Sequence, residues 1–267
     1  MGDPLRGHLA EATRAPRCET LQELVALLAV TPSSFLRQMP GRETFSWPER
    51  SPQWVIKRFE GDEKSDSRFD RRQGMAGRSP GQREFENLVA LRLRGMGVPE
   101  PLGWLQSGDH SLLLMAFVPH ASNLRDRLLQ CPEAWRTWRS PLLGMTLALH
   151  APAPDSEPGF HRDFYLQHFL ISGEPERLCL IDVGRVRLVG QVKQRWFEKD
   201  LAALDHSGPA FLGDLKRLAW LGRYLDGILG PVPRPMARKR LFSWAKTIRK
   251  RQIRMQKHHP RHGEGPA

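Results

Sequence analysis

A chain of 267 residues, 40% of them apolar, is long enough to bury one large core or two lobes sharing a cleft, which excludes disorder throughout. Its formal net charge of +12 points to an anionic partner: a nucleotide, a nucleic acid, an anionic lipid or a phosphorylated sugar. The longest apolar runs, 24–30 and 112–118, fall far short of the roughly 20 residues that a membrane-spanning helix needs.

Within residues 1–40, Leu21, Leu24, Val25, Leu27 and Leu28 predict one short amphipathic helix between Pro16 and Pro32. The N-terminus has no apolar core of the secretory kind. Cys18, Cys131 and Cys179 are scattered, odd in number and without metal-ligand spacing, so the expected setting is a reducing cytoplasm. Residues 44–47 and 53–59 read as the two strands of a hairpin, with Val55, Ile56 and Phe59 supplying β-favouring bulk. The polar stretch 61–80 has no core-forming run and is expected to be a loop. Ser79-Pro80-Gly81-Gln82 opens a helix in which Phe85, Leu88, Val89 and Leu91 recur at helical spacing until Gly95 and Gly97. Two short strands follow over 102–105 and 111–117, turned by Gly108-Asp109. After Pro119 helices dominate: 123–130, 142–150 starting beside Pro141, 196–204, 211–229 and 239–256. The exceptions are the short apolar runs 169–171 and 178–181, which flank a Gly-Glu-Pro turn.

The chemistry-bearing residues sit at the edges of those two runs. Asp163 lies in His161-Arg162-Asp163-Phe164-Tyr165-Leu166-Gln167-His168, and Asp182-Val183-Gly184 closes the second run. One carboxylate in a loop and another just past a strand is the division of labour of a protein-kinase-like phosphotransferase: one receives the acceptor's proton, the other holds the divalent ion that screens the nucleotide phosphates. Lys57, ending the apolar strand Trp54-Val55-Ile56, is placed to reach the phosphates of ATP, and Glu84 on the next helix is its better partner than Glu86, which points to another helical face. His168 stands five residues after Asp163, where most protein kinases have asparagine, and its imidazole can ligate a second metal; nitrogen is the softer donor, so tolerance of Mn2+ beside Mg2+ is expected. Asp200 is suited to accept hydrogen bonds from the loop backbone, a structural role.

Taken together, Lys57, Glu84, the stretch from His161 through His168 to Phe169-Leu170, Asp182 and Lys199-Asp200-Leu201-Ala202-Ala203-Leu204 resemble the lipopolysaccharide kinases of the Kdo/WaaP family over about residues 40 to 225. The resemblance implies an α+β, two-lobed protein-kinase-like fold with a small β-rich N-lobe and a helical C-lobe, and ATP-dependent phosphorylation of a heptose or Kdo hydroxyl of the lipopolysaccharide inner core at the cytoplasmic face of the inner membrane. Asp163 would then be catalytic, Lys57, Glu84 and Gly41 would serve ATP, and His168 and Asp182 would hold the metal. The sequence departs from the kinase pattern in having no G-x-G-x-x-G before Lys57; Gly41 is the one glycine placed to cover phosphates. No Ala-Pro-Glu follows Asp182, which argues against a protein substrate.

The expected organisation is a helical extension over 1–40, an N-lobe over 41–118, a C-lobe over 119–230 and a basic helix and tail over 231–267. Residues 227–263 contain no acid, and the basic helix there suits an anionic inner-membrane surface, with the lipid-linked core oligosaccharide as acceptor. A nucleic acid is not the expected partner, although such a helix binds any polyphosphate. A kinase-fold enzyme acting on another small molecule or a protein, or an inactive basic pseudokinase binding membrane or nucleic acid, are the competing readings.

Overall fold

The structure, a computed structural model, describes residues 6–9, 23, 33–60, 77–151 and 156–258. Two compact units emerge: Met1–Pro119 with Asp182–Gly184, and His120–Ile181 with Arg185–Ala267.

The first unit is built on a six-stranded sheet of order β1-β5-β6-β4-β3-β2, formed by β1 (Arg6–Leu9), β2 (Ser34–Met39), β3 (Arg42–Trp47), β4 (Trp54–Phe59), β5 (Pro101–Ser107) and β6 (His110–Ala116). Side-chain alternation along these strands sorts the two faces. Phe45, Trp47, Ile56, Leu105, Leu112 and Leu114 cluster on one, with Ile56 paired in register to both Phe45 and Leu114. Lys57, one residue on, therefore projects from the opposite face, toward α1 (Pro80–Leu93). That helix starts as its sequence suggests: Ser79 caps it by accepting from the Gln82 N–H at 3.3 Å, with Pro80 in its first turn.

The expected helical extension over 1–40 is corrected by the strands at its two ends. Both Arg6–Leu9 and Ser34–Met39 join the sheet, the first beside β5 and the second beside β3. The sequence over 34–39, Ser-Phe-Leu-Arg-Gln-Met, has no period-2 pattern because its strand lies at the sheet edge with most side chains exposed. The helix expected between Pro16 and Pro32 lies outside the described residues apart from Glu23, as do residues 61–76 of the expected loop.

The second unit holds a three-stranded sheet of order β10-β9-β7, from β7 (His120–Asn123), β9 (Phe169–Ser172) and β10 (Arg177–Leu180), and a two-stranded pair of β8 (Gly159–Phe160) with β11 (Arg187–Leu188). Its helices are α2 (Leu124–Gln130), α3 (Ala134–His150), α4 (Gln194–Ser207), α5 (Gly213–Leu229) and α6 (Arg234–His258). Pro141 lies inside α3 rather than opening it. The turns before it persist, despite the lost N–H, because Trp135 and Trp138 anchor them in the core. The basic helix α6 is not a detached appendage: Trp244, Ile248 and Gln252, at four-residue intervals, form its buried stripe, and Arg251 pairs with Glu198 of α4 at 3.0 Å. Beside this helix, the unit contains an open groove of about 740 Å³, lined by Trp135, Leu142, Leu166, Leu201, Leu221 and Ile248 together with the charged Asp205, Arg217, Lys246 and Arg249.

Candidate active site

In the first unit, Lys57 Nζ donates to Glu84 Oε1 at 2.5 Å and to Asp182 Oδ1 at 2.6 Å. Lys57 is 4% and Glu84 2% exposed, so neither charge could be carried there without the other. Burial alone pulls the Lys57 ammonium down, but the Asp182 and Glu84 carboxylates outweigh both burial and the neighbouring Arg42, and its pKa stands above the ordinary lysine value of 10.5. Since the folded-state value is the higher, this contribution to stability is complete below pH 10.5 and is lost as pH rises through the folded-state pKa. Glu86, the alternative glutamate, pairs instead with Arg78 and Gln82.

Asp182 is held from the backbone side as well. Asn87 of α1 donates to the Val183 carbonyl at 2.8 Å, and Asp182 itself sits at φ +58°, a left-handed conformation costing a non-glycine residue about 1–2 kcal/mol. Gly184 serves by lacking a side chain: a Cβ there would lie 3.1 Å from Glu84 Oε2. Asp182 Oδ1 also accepts from Arg42 Nη2 at 2.9 Å, and Arg37 Nη1 lies 3.8 Å from Oδ2. Gly41 forms, with Pro40, the two-residue turn between β2 and β3, at φ +73°. A positive φ after proline is the type II turn requirement that glycine meets.

In the second unit, Asp163 follows Arg162, which has φ +77°, and the loop is pinned by one buried carboxylate. Asp200 Oδ2 accepts the His161 N–H at 2.5 Å and Oδ1 the Arg162 N–H at 2.7 Å. His150 Nε2 lies 3.3 Å from Asp200 Oδ2, and its Nδ1 2.8 Å from the Tyr224 hydroxyl. Burial, then the Asp200 charge, push the Tyr224 phenol up, so it stays a donor and the relay runs Tyr224 to His150 to Asp200. Asp163 Oδ2 accepts from Arg185 Nη1 at 2.7 Å. Half-buried Lys199 completes this basic surround; burial, Arg162 and Arg185 pull its ammonium down against Asp163 and Asp200. His168 Nδ1 lies 2.8 Å from the Asp163 carbonyl. A carbonyl only accepts, so this ring nitrogen carries the proton and the lone pair falls on Nε2, the form in which histidine binds metals.

The residues present fit a nucleotide-bound divalent ion, which takes one or two protein groups and fills its remaining positions with phosphate oxygens and water. In the first unit Asp182 offers a carboxylate oxygen of the kind such an ion takes; in the second, His168 offers a ring nitrogen. Arg37, Arg42, Asn87, His150, Arg185 and Tyr224 are absent from the sequence reading. Arg185, directly after Asp-Val-Gly, carried a local signal; the others act on residues far along the chain.

Residues 69–217, more than half of the chain, match the lipopolysaccharide kinase (Kdo/WaaP) family. No curated protein matches. Among solved structures, WaaP in complex with acyl carrier protein is similar with a TM-score of 0.62 at 20% identity, covering 93% of this chain and 98% of that one. The aminoglycoside phosphotransferase APH(3'')-Id from Streptomyces rimosus is similar with a TM-score of 0.54 at 14% identity, covering 85% and 98%. Both likenesses are of fold: protein-kinase-like, with a β-rich N-lobe and a helical C-lobe. With that fold and that family match, the chain belongs to the lipopolysaccharide kinase (Kdo/WaaP) family, whose members are ATP-dependent phosphotransferases with an alcohol group as acceptor.

Proposed function

We propose that this kinase moves the γ-phosphoryl group of ATP to a heptose or Kdo hydroxyl of the lipid-linked lipopolysaccharide core, at the cytoplasmic face of the inner membrane. The observation that carries this reading is the Asp163 loop, braced by buried Asp200 and set beside Arg185 and Lys199. Lys57 binds the α- and β-phosphates, and Glu84 keeps its ammonium charged and aimed. Asp182, with His168 through Nε2, would hold magnesium, whose chemistry is to screen charge between the β- and γ-phosphates. Asp163 orients the sugar hydroxyl and takes its proton late in the transfer. Arg185 holds Oδ2 of that carboxylate, so that Oδ1 faces the acceptor.

The exposed side of α6, of which Phe242, Lys246 and Arg249 also line the groove, supports membrane docking. Phe242 and Ile253, both exposed, are three helical turns apart on one side of the helix, among exposed Lys239, Lys246, Arg249 and Lys250. In the deciding experiment, core glycolipid from a strain lacking this protein is incubated with γ-labelled ATP. The expected product carries one added phosphate on a core sugar; label entering peptides but not glycolipid overturns the sugar assignment. F242D/I253D is expected to slow transfer to acceptor in anionic vesicles and not to detergent-dispersed acceptor.

WaaP was solved with acyl carrier protein, and the groove beside α6, where apolar residues lie next to Arg217, Lys246 and Arg249, supports an acylated carrier protein as partner. Co-elution with an acylated carrier protein, and not with its unacylated form, is the expected result; equal retention of both sinks this partner.

A further inference from the structure

The hairpin of β2 and β3 stands where a kinase fold normally places a glycine-rich loop, and it is built differently. Its turn is only Pro40-Gly41, and proline has no N–H, so the backbone has few donors with which to cradle a triphosphate. Arginines from its two strands approach Asp182 instead: Arg42 Nη2 at 2.9 Å from Oδ1 and Arg37 Nη1 at 3.8 Å from Oδ2. Lys57 Nζ shares that Oδ1 at 2.6 Å. The cluster of Arg37, Arg42 and Lys57 against Glu84 and Asp182 therefore carries one surplus positive charge. The Arg42 guanidinium rests over the Phe59 ring, 5.4 Å from its centroid, which steadies it without neutralising it.

We propose that Arg42 is a phosphate-binding residue that replaces the glycine-rich loop, resting on Asp182 when no nucleotide is bound and turning to the β- and γ-phosphates when a divalent ion takes Asp182. The exchange follows from charge. A divalent cation on that carboxylate would neutralise it and repel the guanidinium beside it, and the planar fork of arginine matches phosphate oxygens two at a time. Arg42 thus competes with the metal for Asp182 and follows the metal's phosphates once the metal is bound.

This inference rests on the nucleotide-binding reading of the site, and the test separates the two. Wild type, Arg42→Ala and Arg42→Lys are compared by titration with a fluorescent ATP analogue in magnesium, with AMP, and with Mn2+ alone followed by electron paramagnetic resonance. Arg42→Ala is expected to weaken the triphosphate by about 10- to 100-fold, the loss of charged hydrogen bonds, and to leave AMP unchanged. The same variant binds Mn2+ alone more tightly, because the competing cation is gone. Arg42→Lys keeps part of the triphosphate affinity. Equal triphosphate affinity in wild type and Arg42→Ala, or weaker Mn2+ binding in the variant, overturns the role of Arg42 while leaving the phosphotransferase reading in place. A wild type that binds no nucleotide overturns both. Arg42 is 30% exposed in its side chain, and thermal unfolding of each variant verifies that the fold is kept.

Discussion

Replacing Asp163 by alanine is expected to lower kcat by about 10²- to 10⁴-fold, the range spanned by a positioned general base, with nucleotide affinity unchanged. The Asp163 carboxylate accepts from Arg185, and its backbone N–H donates to the His161 ring. Its side chain is 27% exposed and that of Arg185 51%. Losing such an exposed ion pair costs at most about 1 kcal/mol, so the melting temperature should barely move. Asp163→Asn sharpens the comparison: it keeps the size and a hydrogen-bonding oxygen for Arg185 and loses the charge and the proton acceptor. Single-turnover phosphorylation of core glycolipid, with ATP binding measured in parallel, checks both halves. Full activity in Asp163→Asn would refute the proton-accepting role.

Asp200→Ala is expected to act in the opposite manner, on stability first. Asp200 is fully buried, and His161 is too. Without the carboxylate, the buried His161 N–H and the part-buried Arg162 N–H lose their partner, and buried His150 loses its acceptor. Each stranded donor costs about 1–3 kcal/mol, and breaking a buried charged network of this kind typically costs about 3–5 kcal/mol. In a domain of this size that lowers the melting temperature by on the order of 10 °C. Activity falls with it, because the left-handed backbone of Arg162 is maintained only while its N–H is held. Tyr224→Phe removes just the far end of the relay and should cost less than Asp200→Ala. Thermal denaturation of the three proteins gives the order, and an Asp200→Ala variant as stable as wild type would refute the bracing role.

Much of the fold was legible in the chain. The hairpin of β3 and β4, the capped start of α1 at Ser79, the Gly108-Asp109 turn and the helical run beyond Pro119 all carry local signals, and the kinase-like fold class is what the motif set from Lys57 to Asp200 implied through its family resemblance. The edge strand β2 and the extra turns of α3 were not legible. An exposed edge strand has no buried face to impose alternation on its sequence, and a proline reads as a helix start unless the tryptophans before it are known to be buried. The basic C-terminal segment was legible as a helix, yet nothing local distinguished its inner stripe of Trp244, Ile248 and Gln252 from its outer face.

By itself, the sequence determined the chemistry available: which residues can hold a phosphate, a metal or a proton, and the order in which they come, because motif spacing and hydrophobic period are properties of neighbouring residues. Tertiary structure alone decided the partnerships that no motif spacing marks, such as Asn87 with the Val183 carbonyl, Tyr224 with His150, and Arg42 against a carboxylate 140 positions away. Among 41 lysines and arginines, no local pattern marks the few that meet a buried acid, since Coulomb attraction depends on separation in space, which packing sets and sequence distance does not.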